Sequence, residues 1–280
     1  MSKKEEDAAS VVDGTVKNVV TELISIAKND PETKDAAKNL ASTAKIVTGT
    51  LKRVVFPLAV LNYGYDKAED YFKTRFQKDM TTLTLNIPAE NVVDPKPSVA
   101  GPALQGLAYS HGEEELREMY LNLLASSMNS EIANNAHPSY VETIKQLTAK
   151  EAKLLKLYLV QDQHPISKIH LIINDKHSYE TVVHHMVNLI DSRSNAPVVI
   201  EMMPAYIENW VRLGLVTVDY TVYKAAENAY DWVEKRPEYK ERIVPAVDEG
   251  EFQPRLEVVK GVLARTKYGE IFGRIVGITS

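Results

Sequence analysis

P-A-Y-I-E-N-W-V-R-L-G-L-V-T-V-D-Y, residues 204–220, decides how the C-terminal half folds. Pro204 suits a first helical turn, where the missing N–H is not needed. Gly214 supplies the left-handed residue that ends such a helix. Leu215–Tyr220 then alternates with the period of two expected of a half-buried strand. Upstream, T-A-K-E-A-K-L-L-K-L-Y-L begins at Thr148 with Glu151 three residues on, a capping box. Ile166–Ile173 is rich in β-branched residues and predicts a strand. Arg255–Arg265 predicts another, with a helix from Thr266. Helix, short strand, helix, glycine stop, strand and return strand is the order of a winged helix. The expectation is a winged-helix-like α+β domain over 149–280 with a small antiparallel sheet. Residues 221–254 form an insertion in it, helical at Ala225–Glu234.

The N-terminal part reads as a multi-helix region over 1–95. Val12, Val16, Val19, Val20, Leu23 and Ala27 make one apolar stripe. From Ala37 to Phe72 apolar residues recur at unbroken 3-4 spacing, the a and d positions of a heptad. Pro57 falls inside that pattern and predicts two helices, 33–55 and 57–79. The e and g positions are nearly all uncharged, which favours a helix bundle over a paired coiled coil. Lys38, Lys45 and Lys52 lie seven apart on the far edge, the pattern of a basic face meeting a membrane surface. Thr81–Ile87 predicts a short strand. Residues 88–102 carry four prolines and read as an extended linker. A central helical block, 96–148, follows with helices at 102–110, 114–129 and 138–147. The fold class is mainly α with this α+β end.

Composition narrows the function classes. The chain has 280 residues, 44% of them hydrophobic and 25% charged, with a net charge of −5. That suits a folded protein of more than one domain. Residues 150–280 hold 17 Lys/Arg against 18 Asp/Glu. This balance disfavours nucleic acid as the partner, since a nucleic-acid binder shows a basic stripe. The absence of cysteine removes disulfides and thiolate sites. The charged start M-S-K-K-E-E-D is no signal peptide, and the longest uncharged stretch of the N-terminal half, Val54–Tyr65, is too short to span a bilayer. The reading places the chain in the cytoplasm, with peripheral contact at the inner membrane as a variant.

No residue set announces a reaction or a cofactor. Walker loops, G-x-G-x-x-G and G-x-S-x-G are missing. Five of the seven histidines fall between His164 and His185, yet none are four apart. They read as ordinary surface or part-buried histidines, with no metal site. His137 sits in N-N-A-H-P at the start of a helix. It reads first as a turn residue; the alternative is acid–base chemistry with Glu115 and Arg117. In the helix 204–213, Trp210, Tyr206 and Arg212 are the candidate binding residues. With Glu208 and Arg212 as its only charges, this helix suits protein contact better than the major groove. Gly269, Gly273 and Gly277, spaced by four, predict close packing of the last helix within the chain or between copies.

Several pieces then point to one family. They are Leu61-Asn62-Tyr63-Gly64-Tyr65, Ala100-Gly101-Pro102-Ala103-Leu104, Glu114-Glu115-Leu116-Arg117-Glu118-Met119, Asn122-Leu123-Leu124-Ala125 and Asn134 to Pro138. In this order, the stretch from Leu58 through Leu155 resembles the abortive-infection alpha family, a bacterial family associated with phage defence. T-K-Y-G-E-I-F is similar to the L-T-x-x-G-x-x-F ending common after winged helices, with Arg265 in the leucine position. The resemblance implies an intracellular defence role and carries over no catalytic residue. The leading expectation is a defence protein that works by binding a protein partner or by self-association. The alternatives are a membrane-directed effector using helices 33–79, a hydrolase or nuclease built on His137, and a winged-helix DNA-binding regulator.

Overall fold

The structure, a computed structural model, describes residues 65–174, 178–243 and 252–279. Among these, nine α-helices and one four-stranded antiparallel sheet make an α+β chain in which helix predominates. The stripe at 12–27, the heptads before Tyr65, and Lys38, Lys45 and Lys52 lie outside the described residues. The described residues divide into two compact units, one from 65–156 with 271–279 and the other within 157–270.

The first unit is helical: α1 (Tyr65–Thr74), α2 (Phe76–Thr84), α3 (Pro97–Ser110), α4 (Glu114–Ser127) and α5 (Ser139–Lys145). Over its described part, from Tyr65, the expected helix 57–79 is two segments meeting at Arg75. The expected strand at Thr81–Ile87 is the end of α2 and the turn that follows it. Phe76, Met80 and Thr84 are buried at helical spacing, and the Thr84 hydroxyl donates to the Met80 carbonyl at 2.7 Å. Residues 88–102 are not an extended linker either. A 3₁₀ turn at Ala89–Asn91 leads into α3, which starts at Pro97 and encloses Pro102. Burial explains this: Val99, Ala103, Leu104 and Leu107 present one fully buried face, which outweighs the hydrogen bond Pro102 removes, a loss of about 3 kcal/mol in a helix interior. Gly106 lets α4 approach closely, since a Cβ there would overlap the end of the Tyr120 ring.

Helix α6 (Ala149–Leu159) opens on the expected capping box. The Thr148 N–H donates to Glu151 Oε2 at 2.9 Å, and the Glu151 N–H to Thr148 Oγ1 at 3.2 Å.

The second unit holds the sheet. Strands β1 (Gln163–Ile172), β2 (Tyr179–Val187), β3 (Val216–Asp219) and β4 (Arg255–Arg265) lie in the order β2-β1-β4-β3, every pair antiparallel. Strand β1 pairs with β4 without a break from Gln163↔Ala264 to Ile172↔Arg255. Between α6 and the next helix, α7 (Met203–Arg212), stand two strands where the sequence predicts one, so β2 is an addition to the expected order. The insertion 221–254 is not an α-helix at Ala225–Glu234. It forms turns and a 3₁₀ turn at Val233–Lys235, followed by the short helix α8 (Pro237–Lys240). Tyr230 and Val233 of this insertion pack on Ile169 and Met186. The Tyr230 hydroxyl donates to the Gly261 carbonyl at 2.7 Å.

The final helix, α9 (Lys267–Ile275), is capped by Thr266, whose hydroxyl accepts the Gly269 N–H at 2.9 Å. Both α7 and α9 end in a left-handed glycine, Gly214 (φ 73°) and Gly277 (φ 76°). After α7, the Leu215 N–H returns to the Trp210 carbonyl and the Gly214 N–H to that of Val211. After α9, Ile278 returns to Gly273 and Gly277 to Arg274. These paired bonds are the Schellman closure, which glycine forms without a Cβ penalty.

Candidate functional site: a cleft along the free edge of strand β2

Among the described residues, no hydrogen bond or ion pair links His137 to Glu115 or Arg117. The His137 Nδ1 accepts the Ser139 N–H at 3.1 Å and lies 2.7 Å from the Ser139 hydroxyl, so it caps the turn that starts α5. Arg117 donates to the His111 carbonyl at 2.8 Å. Trp210 is fully buried against Tyr158, ring centroids 5.5 Å apart, so its indole is core and not a contact surface. Tyr206 is half-buried, and exposed Arg212 forks onto Asn209 Oδ1 at 2.6 and 3.2 Å. The three glycines do not share one helix face. Gly269 lies against the Leu215 backbone, Gly273 is buried within α9, and Gly277 falls beyond its end, where a Cβ would meet Asn122. His164 faces the Tyr158 carbonyl and His170 stacks on Tyr179 at 3.9 Å, while His177 lies outside the described residues.

The arrangement with most to offer lies elsewhere in the sheet unit. A cleft of about 220 Å³ is lined by six consecutive residues of β2, Val182 to Val187. Side chains of a strand alternate between its faces, so a run of neighbours can line one cleft only along the edge. Strand β2 is an edge strand. The facing wall is the loop between β2 and α7, with Val198, Val199 and Ile200. Val199 and Met202 of this segment are 49% and 52% exposed.

One buried side chain holds that wall. Arg236, 3% exposed, donates from Nη1 to the Leu189 carbonyl at 2.8 Å and from Nη2 to that of Val198 at 2.9 Å. Its Nε and Nη2 also grip both carboxylate oxygens of Glu238. A planar guanidinium satisfies two carbonyls and a carboxylate at once, which lysine cannot do.

His185 sits at the other end, where the β1–β2 register shifts. Its φ is 45°, a left-handed value unusual for a residue with a Cβ and the mark of a strained position. The Tyr220 hydroxyl is 3.0 Å from His185 Nδ1, and Glu208 is 3.8 Å from Nε2. Burial holds this imidazole below its usual 6.5, opposed by Glu208 and reinforced by His184 and Lys168. Burial also pushes the Tyr220 phenol up. Near pH 7 the pair is therefore neutral: Tyr220 donates to Nδ1, and the remaining imidazole N–H is on Nε2, toward Glu208. Lys168 sits over the Tyr220 ring, 4.7 Å from its centroid, and adds a cation–π contact. This set offers a hydrogen-bond donor beside a cleft whose lining mixes valines with Glu201, Glu241 and Arg242, with a proton to gain below pH 6.5.

Sequence reasoning missed β2, His185, Tyr220 and Arg236. The available signal for the strand was Thr181-Val182-Val183, β-branched after the turn-forming N-D-K-H-S. Nothing local marks Arg236.

Residues 65–276 fit the abortive infection alpha family, and the chain belongs to that family. No curated protein matches it, and no solved structure does.

Proposed function

We propose that this chain serves abortive-infection-type phage defence by binding a protein partner, taking an extended segment of it along the free edge of β2. The carrying observation is the cleft lined by six consecutive strand residues opposite an exposed apolar loop. An edge strand offers unpaired N–H and C=O groups to an added strand, and adjoining apolar positions select its side chains. In this reading α6, β1, α7, β3 and β4 form a winged-helix plan extended by β2 and the 221–254 insertion. Its second helix works by packing, through Trp210, and not by reading a duplex.

The test uses two substitutions that block an added strand without touching the core. His184→Pro removes one N–H at the register shift of an edge strand, where proline is tolerated. Val199→Asp puts a charge on the facing wall. Each is expected to abolish protection of cells against a phage that the wild-type chain restricts, at unchanged expression and melting temperature. Full protection by both variants refutes the proposal.

A further inference from the structure

We propose a second site, in the helical unit, that takes a flat heteroaromatic small molecule carrying a ring-nitrogen acceptor and an amino donor. It goes beyond the protein-binding reading and does not depend on it. The site is a cleft of about 430 Å³ between α3, the start of α4 and the end of α5, within the size range of small-molecule pockets.

Its floor is Tyr120 on Gly106. Tyr120 is only 2% exposed, and among the described residues its hydroxyl makes no hydrogen bond. Burial, with Glu142 nearby, pushes the phenol up, so it remains a neutral donor at any physiological pH. With the ring buried and no partner within the described residues, the hydroxyl keeps its donor for whatever enters the cleft. Gly106 accounts for its position: any Cβ there would overlap the tip of the ring, so the hydroxyl end rests on bare α3 backbone.

The walls set the chemistry of the guest. Leu116 and Ile144 are apolar and buried, and Tyr109, 63% exposed, stands at the mouth as a ring to stack on. Glu113 is exposed there, and among the described residues its carboxylate has no partner. The one cation of the lining, Lys145, is bound to Glu142 at 2.9 Å. A carboxylate or phosphate would therefore meet acidic groups without a free counter-charge. A planar ring can accept from Tyr120 and donate from an amino group to Glu113.

The experiment is titration calorimetry of the full chain with 2-aminobenzimidazole, and with benzoate as the anionic counter-probe. Saturable one-to-one binding of the first is expected, and none of the second. Tyr120→Phe should weaken binding about 5-fold, the value of one hydrogen bond, without lowering the melting temperature. Glu113→Gln, at an exposed position that cannot unfold the protein, should also weaken it about 5-fold. Absence of saturable binding to the folded wild type overturns the proposal. So does equal binding of benzoate, or wild-type affinity in both variants.

Discussion

Replacing Arg236 by methionine should loosen the whole cleft wall, and its effect can be worked from the contacts. The side chain is 3% exposed and serves three acceptors: the Leu189 carbonyl, the Val198 carbonyl and the Glu238 carboxylate. Methionine keeps most of the buried volume but removes every donor. Breaking a buried pair from one side costs about 3–5 kcal/mol. Glu238 is 22% exposed, so water can partly take over its carboxylate, and the lower end, about 3 kcal/mol, is expected. For a chain of this size each kcal/mol shifts the melting temperature by about 2–4 °C, so the fall should be about 6–12 °C. Arg236→Lys should fall in between, because it keeps the charge and loses the fork. The same buried geometry makes the wild-type pair insensitive to salt, so 0.5 M NaCl should not mimic the substitution. Thermal melts by circular dichroism measure the shift. Hydrogen exchange should show faster exchange at the Leu189 and Val198 amides, which flank the loop. A melting temperature within 1–2 °C of wild type, with unchanged exchange there, would refute the reasoning.

Gly269→Ala should destabilise by about 2 kcal/mol, because the new Cβ would overlap the Leu215 carbonyl, which is backbone and cannot swing aside. Gly112→Ala, with open space around it, should stay within about 0.5 kcal/mol, and urea unfolding compares the two. His164, His170 and His185 are all held below 6.5 in the fold, chiefly by burial. The unfolded chain therefore binds more protons below pH 6.5, and stability is lost as pH falls through that window toward the folded values. Melts between pH 7.5 and 5 should show the decline, and His185→Asn should flatten part of it; an unchanged slope would refute the His185 contribution.

The elements that were legible in the sequence are those whose causes lie a few residues apart. Thr148 and Glu151 close their box across three residues, and Gly214 ends α7 by bonds to Trp210 and Val211. The β4 span, Arg255–Arg265, was readable from its own pattern. Reading failed where burial overrode a local signal. Proline marked 88–102 as linker, yet the buried face of α3 carries the helix through Pro102. The weak alternation at Thr81–Ile87 lost to the helical spacing of Phe76, Met80 and Thr84.

The candidate site was not legible for the same reason. Local sequence determined capped helices, glycine stops and the strand that returns as β4, because backbone hydrogen bonds and side-chain periodicity act within a turn or a strand. Only the tertiary structure decided that β2 is an edge, that Arg236 holds carbonyls 47 and 38 residues away, and that Tyr220 meets His185 across 35. Such partners are chosen by what packs together once the sheet has formed, and no spacing along the chain encodes them.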